Sequence, residues 1–512
     1  MRNLLIGFLL LATGSTGLYA QNAVRTPAAQ ELNLQNFWFN SSNAAALAFS
    51  PMDSYSDLNL SYIREQGSFK QALSGDVESE VKAFTSGYLE YKGFNLYGDF
   101  SYMNSFDKGC LYNSNLYEPT FAMPYYIADW NLSDWKRQSY DMGLKAAFPR
   151  MAGGRLAVGL ELRYNSRIGA KQMDPRGKSL ALNILAAPSL AFSPDGINTF
   201  GLTLEYERYK ERTGNSCENY LVIQPVAIMR GLGFYTQGNV GGNLGVSDYL
   251  YSGNRAGAAL SWSRSGSASD LFSELSGGYD KITVLERPTF PQMRGATGTL
   301  FGEVVLKANL GTGRNHRIAF DGNFSYVTGY EYVQELVTQP VREWRTISIV
   351  PASDYLFADG NLSYDYYGDI GSEGYRWRVG ALVTFDMFNQ TYSLTKFDYM
   401  GISASLRGAY NLSFGNGSSL LSAASAGYSY PISGSYLYMG TVNVDSAIVK
   451  GFYPAELAYL TSQSISAGLS LTYSIPVGKR TNLYFKADGS YRKPLQTEGG
   501  RVFAALSIGT LL

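Results

Sequence analysis

Few side chains in this 512-residue sequence are suited to covalent or metal chemistry: it holds one histidine, His316, and two cysteines, Cys110 and Cys217. A histidine base beside a Ser or Cys nucleophile, or a histidine-rich metal centre, has no candidate set here. No enzymatic role, metal or cofactor is therefore expected. The charged residues suggest a different chemistry. Glu161, Arg163, Glu205, Glu303, Lys307, Asp321, Asp359, Arg376, Arg378, Lys486 and Asp488 fall on the polar side of segments that alternate with a period of two. Such a row lines a water-filled lumen, and its nearly balanced signs predict no strong ion selection across the whole lumen. Two long segments, 105–137 and 431–461, concentrate Tyr125, Tyr126, Trp130, Trp135, Tyr436 and Tyr438. Rings there either set a constriction and offer faces to a sugar or apolar ligand, or pack on one another as a lid. Cys110 and Cys217 both fall in predicted outer loops, where export to an oxidising compartment permits a disulfide pinning two loops together.

The elements that must carry these residues are strands. In RLAVGLELRY, Leu156, Val158, Leu160, Leu162 and Tyr164 alternate with Arg155, Ala157, Gly159, Glu161 and Arg163, which puts an apolar set on one face and a polar set on the other. The pattern returns in FNLYGDFSY, TFGLTLEYE, RIAFDGNFSY and SISAGLSLTYSI. Tyr164, Tyr206, Tyr326, Tyr364, Tyr366, Tyr410 and Tyr473 lie near strand ends on the apolar face, where a membrane barrel places its interfacial girdle. Short turn-like stretches such as SPDG (193–196), GTGRN (311–315) and GNGSS (415–419) alternate with long polar or aromatic ones. Threading the chain up and down gives about 20 antiparallel strands, within a range of roughly 14–22. It puts short turns in the periplasm and long loops outside. The threading includes strands beginning near 219 and 232 and leaves WRTISIV (344–350) inside an outer loop.

Composition agrees with a surface half in lipid. Charged residues are 16% and aromatics 14%, against roughly 25% charged in soluble domains. Lys plus Arg and Asp plus Glu are 42 each, so no whole-molecule attraction draws the chain to nucleic acid. Beyond the first residues no apolar run reaches the roughly 18 that a spanning helix needs. Residues 1–20, with Arg2, an apolar Leu4–Ala12 run and Ala20, read as a secretory signal peptide. Residues 21–56 then form an N-terminal periplasmic leader or a small plug, and 57–512 the barrel.

With these features the mature chain resembles the outer-membrane β-barrel families of Gram-negative bacteria, among them the large uncharacterised ones. Its last segment, RVFAALSIGTLL, is similar to the closing strand by which such barrels engage the barrel-assembly machinery, although it ends in Leu512 and not an aromatic residue. TonB-dependent receptors carry a plug of well over a hundred residues, for which the stretch before the first strand is too short. Asn43, Ala44, Ala45, Ala46 and Leu47 resemble the Asn-Pro-Ala-Ala-Leu stretch in the hatch of the long-chain fatty acid transporter family, with Ala44 in place of the proline. That resemblance implies a small plug over residues 36–50 and a hydrophobic cargo. The function expected is porin-like: an outer-membrane barrel, its partner the surrounding lipid, that passively passes or binds an unknown small solute through a loop-gated lumen. The alternatives are a hydrophobic-compound transporter with an N-terminal hatch and a non-conducting surface scaffold whose loops bind a partner.

Overall fold

A computed structural model describes residues 26–50, 52–112, 116, 123–219, 221–241, 248–287, 291–478 and 481–512. The expected signal peptide, 1–20, lies outside the described residues. The strands in chain order are β1 (Tyr55–Gly67), β2 (Val77–Tyr91), β3 (Phe94–Cys110), β4 (Ile127–Ala128), β5 (Ser133–Ala147), β6 (Leu156–Lys171) and β7 (Arg176–Phe192). Next come β8 (Asn198–Ser216), β9 (Gln224–Gly231), β10 (Phe234–Val240), β11 (Asp248–Ser265), β12 (Ser269–Arg287), β13 (Gln292–Leu310) and β14 (His316–Val337). The last are β15 (Glu343–Gly368), β16 (Trp377–Tyr392), β17 (Thr395–Ser413), β18 (Ser419–Leu437), β19 (Ser464–Val477), β20 (Thr481–Pro494) and β21 (Arg501–Leu511). Two short helices accompany them, α1 (Pro27–Asn33) and α2 (Tyr453–Leu460).

Eighteen of these strands form one antiparallel sheet. The sheet closes on itself because β21 pairs with β1 from Asp57↔Leu511 to Gly67↔Arg501. Closure removes the sheet edges, so every ladder group has a partner without help from water, a requirement for backbone in lipid. The apolar set of the alternation points outward. Leu60, Leu204, Leu260, Leu275, Leu300, Leu362, Leu406, Leu469 and Leu506 are all more than half exposed. Pairings such as Leu260↔Leu275 and Leu260↔Leu202 carry this belt from strand to strand. A continuous apolar belt of this kind is a membrane-facing surface. On β14 the outward Ile318 and Tyr326 stand eight residues apart, or about 27 Å along the strand. At a tilt of about 40° that is roughly 21 Å of height, near the ~25 Å of an outer-membrane apolar band.

The barrel has two fewer strands than expected. The segments begun near 219 and 232 are β9 and β10, which leave the wall and join β4 in a separate three-stranded sheet. Their sequence explains this: Val226, Ala227 and Met229 are all buried, so the VAIM run is covered on both faces, unlike the half-lipid wall. WRTISIV belongs to β15. It pairs with the end of β14 in a hairpin that rises beyond its neighbours, since β13 pairs with β14 only as far as Tyr330 and β16 with β15 only from Ser353. Connections at the end carrying both chain termini are short. The tightest is Lys92–Gly93, where both residues take the positive φ that a two-residue hairpin turn needs. The other end carries the long connections, although β16 and β17 are joined there by Ser393–Leu394 alone.

Candidate functional site

The inward set of the alternation encloses a lumen, and chain folds into it from both ends. At the end with the termini, the segment 26–50 lies across the opening. Thr26 caps α1, accepting from the Ala29 N–H at 3.2 Å and donating to the Glu373 carbonyl at 2.7 Å. Ala28, fully buried, packs among Tyr367, Tyr375, Ala409 and Leu421. The next turns are held mostly through their backbone. Arg317 donates to the Gln35 carbonyl at 3.1 Å, and Lys145 donates to the carbonyls of Ser41 at 2.7 Å and Phe39 at 3.2 Å. Glu274 accepts from Ser42 N–H at 3.1 Å and Ser189 from Ala45 N–H at 3.0 Å. Trp38 donates its indole N–H to Ser263 at 2.9 Å and meets Phe272 edge-on.

Asn43 starts the 3₁₀ turn Ala44–Phe49, accepting from Ala46 N–H at 3.0 Å while donating to the carbonyls of Leu190 and Leu202, both at 3.1 Å. Asn43 through Leu47 have no exposed surface. Gly159 makes room for them, because a Cβ there would overlap the backbone of Ala44 and Ala45.

The opposite end is closed by loops. The β4–β9–β10 sheet, the π-helical turn Ile448–Phe452 and α2 form an aromatic cluster on the inner wall, with Met229, Phe452 and Tyr453 packed near Tyr355, Phe388 and Phe397. Asp129 and Lys171 tie the segment after β4 to the end of β6 through a 2.6 Å ion pair whose side chains are 0% and 2% exposed. Most of the aromatic ligand candidates take part in this packing or in the wall beside it. Tyr125, Tyr126 and Trp135 are buried, Tyr436 stacks on Tyr453 at 4.7 Å, and Tyr438 packs on Phe234 at 5.0 Å. Trp130 lies against the same cluster. Trp130, Tyr436 and Tyr438 stay partly exposed.

Ten of the eleven charged candidates point inward, but with different partners. Glu161 pairs with Arg163 at 2.6 Å and with Lys145 at 3.4 Å, and Arg378 reaches Glu31 of α1 at 3.4 Å. Lys486 pairs with Asp488 at 3.2 Å and Lys307 with Asp321 at 4.0 Å, while Asp359 accepts from Asn323 at 2.9 Å. Glu205 and Glu303 share the wall of β8 and β13 with them. Arg376 is a correction. It precedes β16, is exposed, and donates to the hydroxyl of the outward Tyr410 at 3.2 Å, so it belongs to the outer rim. The cysteines are a second correction, since both are free. Four strand intervals of about 4.8 Å separate β3 from the end of β8, well beyond the reach of a disulfide.

The charges are also segregated, which balance along the sequence did not predict. Glu205, Glu207, Asp280, Glu303, Asp321, Asp359 and Asp386 line one arc of the wall, with Arg255 and Lys307 at the same height. The adjoining arc, β17 to β21, presents Ser403, Ser405, Ser425, Ser466, Ser470 and Ser490 together with Arg407, Lys486, Asp488 and Arg492. Ser425, Ser466 and Ser490 are solvent-exposed although they point inward, so water reaches the interior there. Lys145, Ser189, Glu274 and Arg317, which hold the segment 26–50, are recognisable in the sequence only as inward residues. Their role requires knowing what fills the barrel.

Residues 44–512 match the model of a family described only as a family of unknown function, DUF6850. No curated protein matches the chain. Solved structures that it resembles include the toluene transporter TodX of Pseudomonas putida, at 13% identity over 96% of this chain and 94% of that one, with a TM-score of 0.30. They also include the outer membrane transporter YddB of Escherichia coli, at 9% identity over 88% and 80%, with a TM-score of 0.41.

Proposed function

This chain belongs to the DUF6850 family of unknown function, and we propose that it is an outer-membrane channel or transporter for a small polar solute, with the segment 26–50 as a displaceable hatch and the loop-end cluster as a lid. In this reading the ends carrying the termini and the long loops face the periplasm and the cell exterior, and β21 serves recognition by the barrel-assembly machinery. The observation that carries the proposal is how the hatch is held. Polar wall residues such as Lys145, Glu274 and Arg317 grip its backbone, and neither the ladder nor barrel closure uses any residue before Tyr55. Because the ladder and the closure are complete without it, the wall keeps its own hydrogen bonds when such a hatch leaves.

The acidic and serine-lined arcs favour a hydrophilic cargo over a hydrophobic one, because an apolar solute would strip their hydration without replacing it. The test is single-channel conductance of the refolded mature chain beside a chain lacking residues 21–50. The hatch reading expects a nearly silent full-length barrel and a steady, salt-proportional conductance after deletion. Equal conductance of the two would reduce 26–50 to a passive leader. Silence from both, each with a folded, heat-modifiable band, would favour the scaffold reading. The projecting hairpin, with Val333, Ile347 and Ile349 exposed, is the feature that would then serve a partner.

A further inference from the structure

Under the lid, against the inner faces of β1, β2, β3, β5 and β6, lies a cavity of about 410 Å³. Most of its charged lining is already neutralised. Arg501 pairs with Glu65 and, at 3.2 Å, with Glu78, and Arg137 pairs with Asp107. Three groups remain. Glu456 of α2 is 2% exposed; its Oε2 accepts from the Ala72 N–H at 2.8 Å, and its Oε1 is buried with no hydrogen-bond partner. The buried Nε of Arg167, which lines the same cavity, has none either. Glu80 lines the same space, with Lys82 on its own strand as the nearest opposite charge acting on it. Buried polar atoms left without partners are costly and rare, so a pair of opposite sign around one cavity signals a missing guest.

We propose that this cavity binds a small zwitterion the size of an amino acid or dipeptide, with its ammonium group held by Glu456 and Glu80 and its carboxylate by Arg167. A hydrocarbon would leave all three groups stranded, and a simple ion would satisfy only one sign. The volume falls toward the lower end of small-molecule sites, about 300–1,000 Å³. The site deepens the transport reading and rests on it for purpose, since a solute admitted past the lid meets this cavity first.

The test is calorimetric titration of the full mature chain in detergent micelles with glycylglycine, N-acetylglycylglycine and glycylglycinamide. Glycylglycine should bind, and each blocked form should bind at least tenfold more weakly. Glu456→Gln keeps an acceptor for Ala72 and so keeps the lid docked, yet should weaken glycylglycine at least tenfold. Arg167→Met should do the same while leaving the weak binding of glycylglycinamide unchanged. Equal binding of free and blocked dipeptides would overturn the site, as would unaltered affinity in both variants or no binding to a chain with a folded, heat-modifiable band. Titration requires no flux, so the two readings fail separately. Binding without conductance in the hatch deletion removes transport and keeps the site; conductance without binding does the reverse.

Discussion

Glu456 and Lys145 are the residues at which closure can be tested by chemistry. Burial pushes the Glu456 carboxyl above its usual range, and the hydrogen bond from Ala72 only partly offsets this. A carboxyl raised in the folded state contributes stability that is fully present below its ordinary pKa and is lost as pH rises through the raised value. Of the charged groups around the cavity, Glu65 and Glu78 are paired with Arg501 and Asp107 with Arg137, which leaves Glu80 and Arg167 facing it with opposite signs. The segment 68–76, which α2 holds through the Ala72–Glu456 hydrogen bond, should thus show higher protection factors, with the intrinsic pH dependence of exchange divided out, at acidic than at neutral pH, and Glu456→Gln should flatten the difference. A steeper dependence in the variant would contradict the assignment. Lys145 and Glu161 form an ion pair whose side chains are each 8% exposed. Lys145→Met leaves Glu161 paired with Arg163 but removes the donor to the Phe39 and Ser41 carbonyls; it should lower stability by about 1–3 kcal/mol, read as an earlier urea midpoint of the heat-modifiable band, and it should also release the hatch. Gly159→Val should release the hatch with less loss of stability, because the added side chain meets the backbone of Ala44 and Ala45 and leaves the wall ladder alone.

At the scale of elements, the wall was legible in the sequence and its fillings were not. Alternation identifies a lipid-facing strand because one face must be apolar, and all 18 wall strands carry that mark. β9 and β10 do not. The buried VAIM run of β9 has apolar residues on both faces, so it carries no lipid-facing alternation. The β14–β15 hairpin was assigned to a loop because polar and apolar residues alternate there too weakly to mark a face, and in the structure both faces are exposed. The stretch Asn43–Leu47 resembled a hatch motif, but its burial depends on Gly159, Ser189 and Leu202 from distant strands, a convergence that no local pattern encodes. Removing the hairpin tip, residues 336–344, should leave folding and conductance unchanged, since that segment pairs only with itself. A loss of the heat-modifiable band would show that the hairpin supports the wall.

For the whole molecule, the segregation of charge matters more than the net charge of zero. A lumen that gathers seven carboxylates around Arg255 and Lys307 on the strands from β8 to β16, with Arg407, Lys486 and Arg492 on the adjoining arc, should favour cations once it is open. A hatch-deleted pore in a salt gradient should therefore show a cation-selective reversal potential, and Asp359→Asn with Asp386→Asn should reduce it. The most direct test of the central claim, a polar lumen shut by a displaceable hatch, is single-channel conductance of the full mature chain against the chain lacking residues 21–50. The account predicts near silence from the first and a steady open level from the second. An open level of the same size in both would contradict it.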